Sequence, residues 1–284
     1  MLKNSQKKGM VTKMKKIMAM LMTIMLTVGS FGVAVMAENP DSVKVYVTIA
    51  DKNGRLPVVL EEITVTDVDN DGALTINDAL YIAHESKFEG GAAAGYSTET
   101  GTYGLSINKL WGTDTISVGY YVNNVAAWSL ADPVADGDVV NAFVYQDAGF
   151  TDKYSYFDNK TVSANEGEEI TLLLTKIEFD AAWNPVPTKA ANATITVDGI
   201  ATSHKTDAEG KVTLTLEKGT HIISAVSGSD SEIIVPPVCK ANVSAKDVTS
   251  ANTGDNKTLC LILIVAAVSG LALVFMGNRK IYEK

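Results

Sequence analysis

Val43, Val45, Val47 and Ile49 alternate with Lys44, Tyr46 and Thr48, the two-residue period of a half-buried strand. Ile63 and Val65, with the apolar run before them, predict a second strand. At Ala79, Leu80, Ile82 and Ala83 the spacing changes to that of one helical face. The glycine-rich stretch from Gly90 to Gly104 reads as a loop. Tyr120, Tyr121 and Val122 predict another strand; Val139, Val140, Ala142, Val144 and Tyr145 predict one more, after the turn Asp136-Gly137-Asp138. One helix among strands, without regular alternation, makes an α+β module over residues 41–157.

From residue 159 the pattern contains strands alone. Ile170, Leu172 and Leu174, then Ile195 and Val197, then Val212, Leu214 and Leu216, then Ile222 and Ala225, each alternate with polar positions. The turns Asp198-Gly199, Glu209-Gly210 and Lys218-Gly219 break them into short segments, the signature of a β-sandwich over residues 159–238. Asp180 to Lys189 reads as a loop between strands, and residues 239–258 as a polar linker.

The two ends carry different signals. Residues 1–37 hold Lys3, Lys7, Lys8, Lys13, Lys15 and Lys16, then an apolar run, then the small-residue end Val35-Met36-Ala37. That order predicts a secretory signal peptide, with an uncleaved membrane helix as the alternative. Leu259 to Met276 is an uncharged apolar run of 18 residues followed by Arg279, Lys280 and Lys284. It predicts a C-terminal transmembrane helix, a cytoplasmic basic tail over 277–284, and the bulk of the chain outside the cell. Removing the six leading lysines from 24 basic residues leaves 18 against 33 acidic. Such an excess disfavours nucleic acid as a partner. Cys260 lies in the apolar run and Cys239 before it, so no disulfide framework is expected.

Asp67 to Asp78, DVDNDGALTIND, places acids at loop positions 1, 3, 5 and 12 and a glycine at 6. Twelve-residue loops of this spacing supply Ca²⁺ with a cage of hard oxygen ligands. The expected ligands of one Ca²⁺ are Asp67, Asp69, Asp71, the carbonyl of Ala73, Thr75 directly or through water, and Asp78. The competing reading is an acidic turn at a helix start, with Asp78 a first-turn carboxylate.

Several segments resemble known families. GYYVNNVAAWSLADPVADGDVVNAFVYQD, Gly119 to Asp147, resembles the transcobalamin-like C-terminal domain of bacterial surface proteins through Tyr120, Tyr121, Val122, Asn123, Gly137, Asp138 and Tyr145. Asn124 stands where that family has the turn glycine, and a type I′ turn accepts Asn at either central position. The resemblance implies a β-grasp-like fold and a small-molecule ligand such as a cobalamin. Trp111, Tyr120, Tyr121 and Trp128 are then the ligand-binding candidates; packing in sheet and core is the alternative for them. DVDNDGALTINDALYIA resembles one half of a dockerin repeat, here a single unit between strands. TDAEGKVTLTLEKGTHIISA, Thr206 to Ala225, resembles bacterial Ig-like and carboxypeptidase-regulatory-like modules. Thr253-Gly254 before the apolar run resembles a sortase signal, with Ser250 and Ala251 at the positions usually Leu and Pro. It implies attachment to peptidoglycan, with membrane retention as the alternative.

No HExxH, GxSxG or phosphate-cradling glycine loop is present, and the three histidines, His84, His204 and His221, do not cluster in sequence. The expectation is a non-enzymatic surface protein that either captures a small molecule or acts in adhesion or scaffolding against a surface polymer.

Overall fold

The computed structural model describes residues 41–102, 104–229 and 231–246. The expected signal, the apolar run 259–276 and the Thr253-Gly254 pair lie outside the described residues, among which no helix is long and apolar enough to cross a membrane.

The alternating segments form strands where the pattern placed them. β1 (Val43–Ala50) and β2 (Val58–Val65) pair as an antiparallel hairpin. Helix α1 (Ile76–Lys87) follows, buried through Ile76, Ala79, Leu80 and Ala83. The glycine-rich stretch holds more than a loop: α2 (Gly91–Gly95), then β3 (Ser97–Gly101), which pairs with β4 (Gly104–Leu110), itself paired on its other side with β5 (Thr113–Asp114). Its small and polar residues carry no hydrophobic period, so the pairing is invisible in the pattern.

β6 (Val118–Val122), β7 (Val125–Ala126) and β8 (Val139–Val144) complete a five-stranded sheet of order β2-β1-β8-β6-β7, with β1 and β8 parallel at its centre. The β6–β7 turn has Asn123 and Asn124 at φ 51° and 66°, the left-handed pair that a type I′ hairpin requires. α1 packs on one face through a core that includes Val45, Val47, Ile63, Leu80, Ile107, Leu110 and Val140.

The second module is an all-β sandwich. Its strands are β9 (Ser155–Phe157), β10 (Thr161–Asn165), β11 (Glu169–Phe179), β12 (Pro185–Lys189), β13 (Thr194–Val197), β14 (Ile200–Lys205), β15 (Lys211–Thr215), β16 (Gly219–Val226) and β17 (Cys239–Ser244). One sheet runs β10-β17-β16-β13-β14; the other runs β12-β11-β15, with β9 also on β11. Leu172, Leu174, Ile195, Leu214 and Ile223 fill the space between them.

Three boundaries differ from expectation. Residues 239–244, assigned to the linker, are an inner strand between β10 and β16. Cys239, Ala241 and Val243 do alternate inward, but two of the three are Cys and Ala, whose small side chains barely raise the hydrophobic signal. Ser155–Phe157, placed in the first module, pairs with β11 of the second. Of the supposed loop 180–189, only 180–184 turns; Pro185–Lys189 pairs with β11 at the sheet edge, where prolines are tolerated.

Candidate functional site

Asp67, Asp69 and Asp71 converge as the loop spacing predicts, each offering an oxygen within 4.8 Å of the others. Gly72 at φ 88° makes the turn. Asp67 accepts from the backbone N–H of Asp71 at 3.2 Å and Gly72 at 2.9 Å, and Asp71 from that of Ala73 at 2.8 Å. Loss of solvent, then the negative charges of Asp78 and Asp71, push Asp69 above the usual carboxylate range. Three carboxylate oxygens of this kind are a donor set suited to a hard divalent cation.

The other three expected ligands divide differently. Thr75 is the N-cap of α1, and its hydroxyl donates to Asp78 at 2.7 Å. Asp78, fully buried, also accepts from the N–H of Thr75 at 2.8 Å and of Val68 at 3.0 Å. This is a capping box, reaching back across the loop to Val68. Asp78 therefore does not join the acidic trio, as the first-turn reading of it anticipated. The carbonyl of Ala73 is not part of any described contact.

Behind the loop lies a polar chain that the sequence pattern does not signal. Asp69 accepts from the Asn77 amide at 3.0 Å, and Asn77 accepts from the Tyr96 hydroxyl at 3.0 Å. The Tyr96 ring stacks on His84, centroids 4.9 Å apart. His84 is fully buried; its Nε2 accepts from the N–H of Trp111 at 3.1 Å, which leaves the proton on Nδ1 to donate to the carbonyl of Leu80 at 2.6 Å. Burial pushes its pKa down to about 4, so the ring is neutral at physiological pH. The position is that of a satisfied interior histidine.

The four aromatic candidates do not share a surface. Trp111 and Tyr120 pack against the first core. Tyr121 faces the opposite side of the sheet and stacks on Tyr154 of the second module, centroids 3.7 Å apart and 7° from parallel. Trp128 stands alone in solvent, 95% exposed. Neighbouring positions 120 and 121 necessarily point to opposite faces of a strand, a geometric reason that one ligand cannot touch both.

The residues that join the modules escaped the sequence reading. Ala50, Tyr121 and Phe143 of the first module pack with Tyr154, Ile177 and Val235 of the second. The Tyr154 hydroxyl accepts from the Asn141 amide at 3.0 Å and donates to the Asn124 carbonyl at 2.8 Å. Within the second module, Lys153 holds the segment that carries Tyr154 in place, its N–H donating to Ile233 O at 2.8 Å and its carbonyl accepting from Val235 N at 2.8 Å. Nothing in a lone Tyr marks it in advance as a linchpin. Elsewhere, the His221 ring of β16 meets Asp198 of the β13–β14 turn at 2.7 Å, a contact that raises the His221 pKa.

No known protein family matches the chain, and no curated protein of similar sequence is found. Among solved structures it is similar to the fibronectin(III)-like modules of Clostridium thermocellum CbhA, at 12% identity over 56% of this chain and 90% of theirs, with a TM-score of 0.28. It is also similar to the N-terminal four Ig domains of Dscam1 isoform 7.44, at 11% identity over 71% of this chain and 44% of that one, with a TM-score of 0.22. These likenesses are too loose to bear on function, and the description of the fold rests on strand pairing alone.

Proposed function

We propose that the chain is a non-enzymatic extracellular scaffold or adhesion protein, tethered at the cell surface, whose two modules work as one stiff arm. The observation that carries this reading is the buried seam around Tyr121 and Tyr154. Flexibly linked modules keep polar surfaces apart; here rings from both sides are buried together and the Tyr154 hydroxyl bonds to Asn141 and Asn124 of the first module. The basic-apolar opening of residues 1–37 and the apolar run 259–276 support secretion and tethering, to membrane or to peptidoglycan. One Ca²⁺ held by Asp67, Asp69 and Asp71 acts in this reading as a clasp at the entry to α1, relieving repulsion among three carboxylates.

The order β2-β1-β8-β6-β7, with β1 and β8 parallel and a helix after β2, supports a β-grasp-like reading of the first module. Cobalamin capture through Trp111, Tyr120, Tyr121 and Trp128 finds no support, because those rings diverge.

The test is a distance measurement. Spin labels at Thr64→Cys and Ser203→Cys, one on each module, should give one narrow distance that broadens in Tyr154→Ala. A broad distribution in the otherwise native chain refutes the stiff arm. Protease added to intact cells should remove the chain; full protection refutes the extracellular placement.

A further inference from the structure

The two modules do not meet flush. Beside the tyrosine stack lies a cleft of about 400 Å³, lined from both sides. Ligand pockets are commonly of this size and concentrate at domain interfaces. Val139, Pro236 and Val238, each half-buried, make part of its lining apolar, while Asn124, Asn141 and Asn159 bring amides to it.

Tyr154 decides what those amides present. Its hydroxyl is saturated, accepting from Asn141 and donating to Asn124. That fixes the orientation of both side chains. Asn124 keeps its NH₂ group and Asn141 its carbonyl oxygen, neither with another hydrogen-bond partner among the described residues. One donor and one acceptor are thus held at the cleft by a buried ring. Asp158 and Lys160 add one charge of each sign, so the lining has no net charge.

We propose that this cleft binds a neutral polyhydroxylated ligand, a saccharide of one or two rings. Sugar hydroxyls both donate and accept, and the C–H face of a pyranose suits the apolar lining at Val139, Pro236 and Val238. An ionic ligand would bury a charge without a matching excess of the opposite sign. A wholly apolar one would strand the Asn124 and Asn141 amides away from water. This assignment gives the arm a chemical class of partner and depends on neither the calcium clasp nor the mode of tethering.

Saturation-transfer NMR on the full-length chain tests it, with glucose, N-acetylglucosamine and cellobiose as probes and acetate and choline as charged controls. At least one sugar should receive saturation on its ring protons. Asn124→Gly keeps the turn, where glycine is preferred, and removes the amide; it should weaken binding about tenfold, the scale of one lost hydrogen bond. Asn159→Ala gives a second lining variant away from the turn, and its loss of affinity supports the same site. No transfer to any of the three sugars overturns the proposal. So does undiminished transfer in both variants, or transfer to acetate or choline equal to that of the sugars.

Discussion

Acidification should destabilise the first module through one imidazole. His84 is fully buried, with both ring nitrogens engaged as a neutral tautomer, Nδ1 donating to Leu80 and Nε2 accepting from Trp111. Protonation of Nε2 would turn that acceptor against the Trp111 N–H. The pKa is about 4 in the folded protein against an ordinary 6.5. Because the folded value is the lower one, the unfolded chain binds the extra proton first. Stability from this group is complete above pH 6.5, falls between 6.5 and about 4, and is gone below that. The gap corresponds to about 3 kcal/mol in full and about 2.5 kcal/mol by pH 4.5. Urea unfolding of wild type and His84→Gln from pH 8 to 4.5 measures it, since every other titrating group is common to both. The advantage of wild type over the variant should shrink by about that amount across the range. A difference in stability that stays constant with pH refutes the reasoning.

Four further outcomes are expected. Asp71→Ala should abolish the rise in melting temperature that Ca²⁺ gives, a stabilisation of about 2.7 kcal/mol at one hundred times Kd; a native protein whose melting is unmoved by chelator sinks the metal assignment. Asp78→Ala should lose about 2–4 kcal/mol to a similar extent with or without chelator, because the side chain serves the helix cap; a loss seen in Ca²⁺ alone would return Asp78 to the cage. Tyr154→Ala should cost about 3–5 kcal/mol and split a single calorimetric transition into two; one unsplit transition argues against the seam as the coupling element. Cys239, buried between sheets with its thiol pushed up to about 12, should resist alkylation until the sandwich unfolds. Labelling at the native-state rate of an exposed thiol contradicts that burial.

Legibility in the sequence followed the size of the side chains. Val43 to Ile49 and Ile170 to Leu174 announce their strands because large apolar groups alternate with polar ones. Cys239, Ala241 and Val243 follow the same rule with less area to bury, and β17 passed for linker. The acidic loop was readable because a metal-loop spacing is local; its three early acids do converge. Which of the two readings of Asp78 would win was not, because position 12 of such a loop is also the third residue of the following helix, and the buried cap has first claim on that carboxylate. The seam was invisible for a further reason. Tyr121, Asn124, Asn141 and Tyr154 lie on separate elements, and their meeting depends on how two finished modules stack.

The insertion of β17 has a mechanical meaning. It runs parallel to β10 on one side and antiparallel to β16 on the other, in the interior of its sheet. A pull applied at Ser244 along the strand therefore loads two ladders in shear, so their hydrogen bonds must rupture together and not one after another. Resistance to such a force is set by the unfolding rate and not by the equilibrium stability. An arm held by that end would keep its shape under drag that would peel an edge strand away.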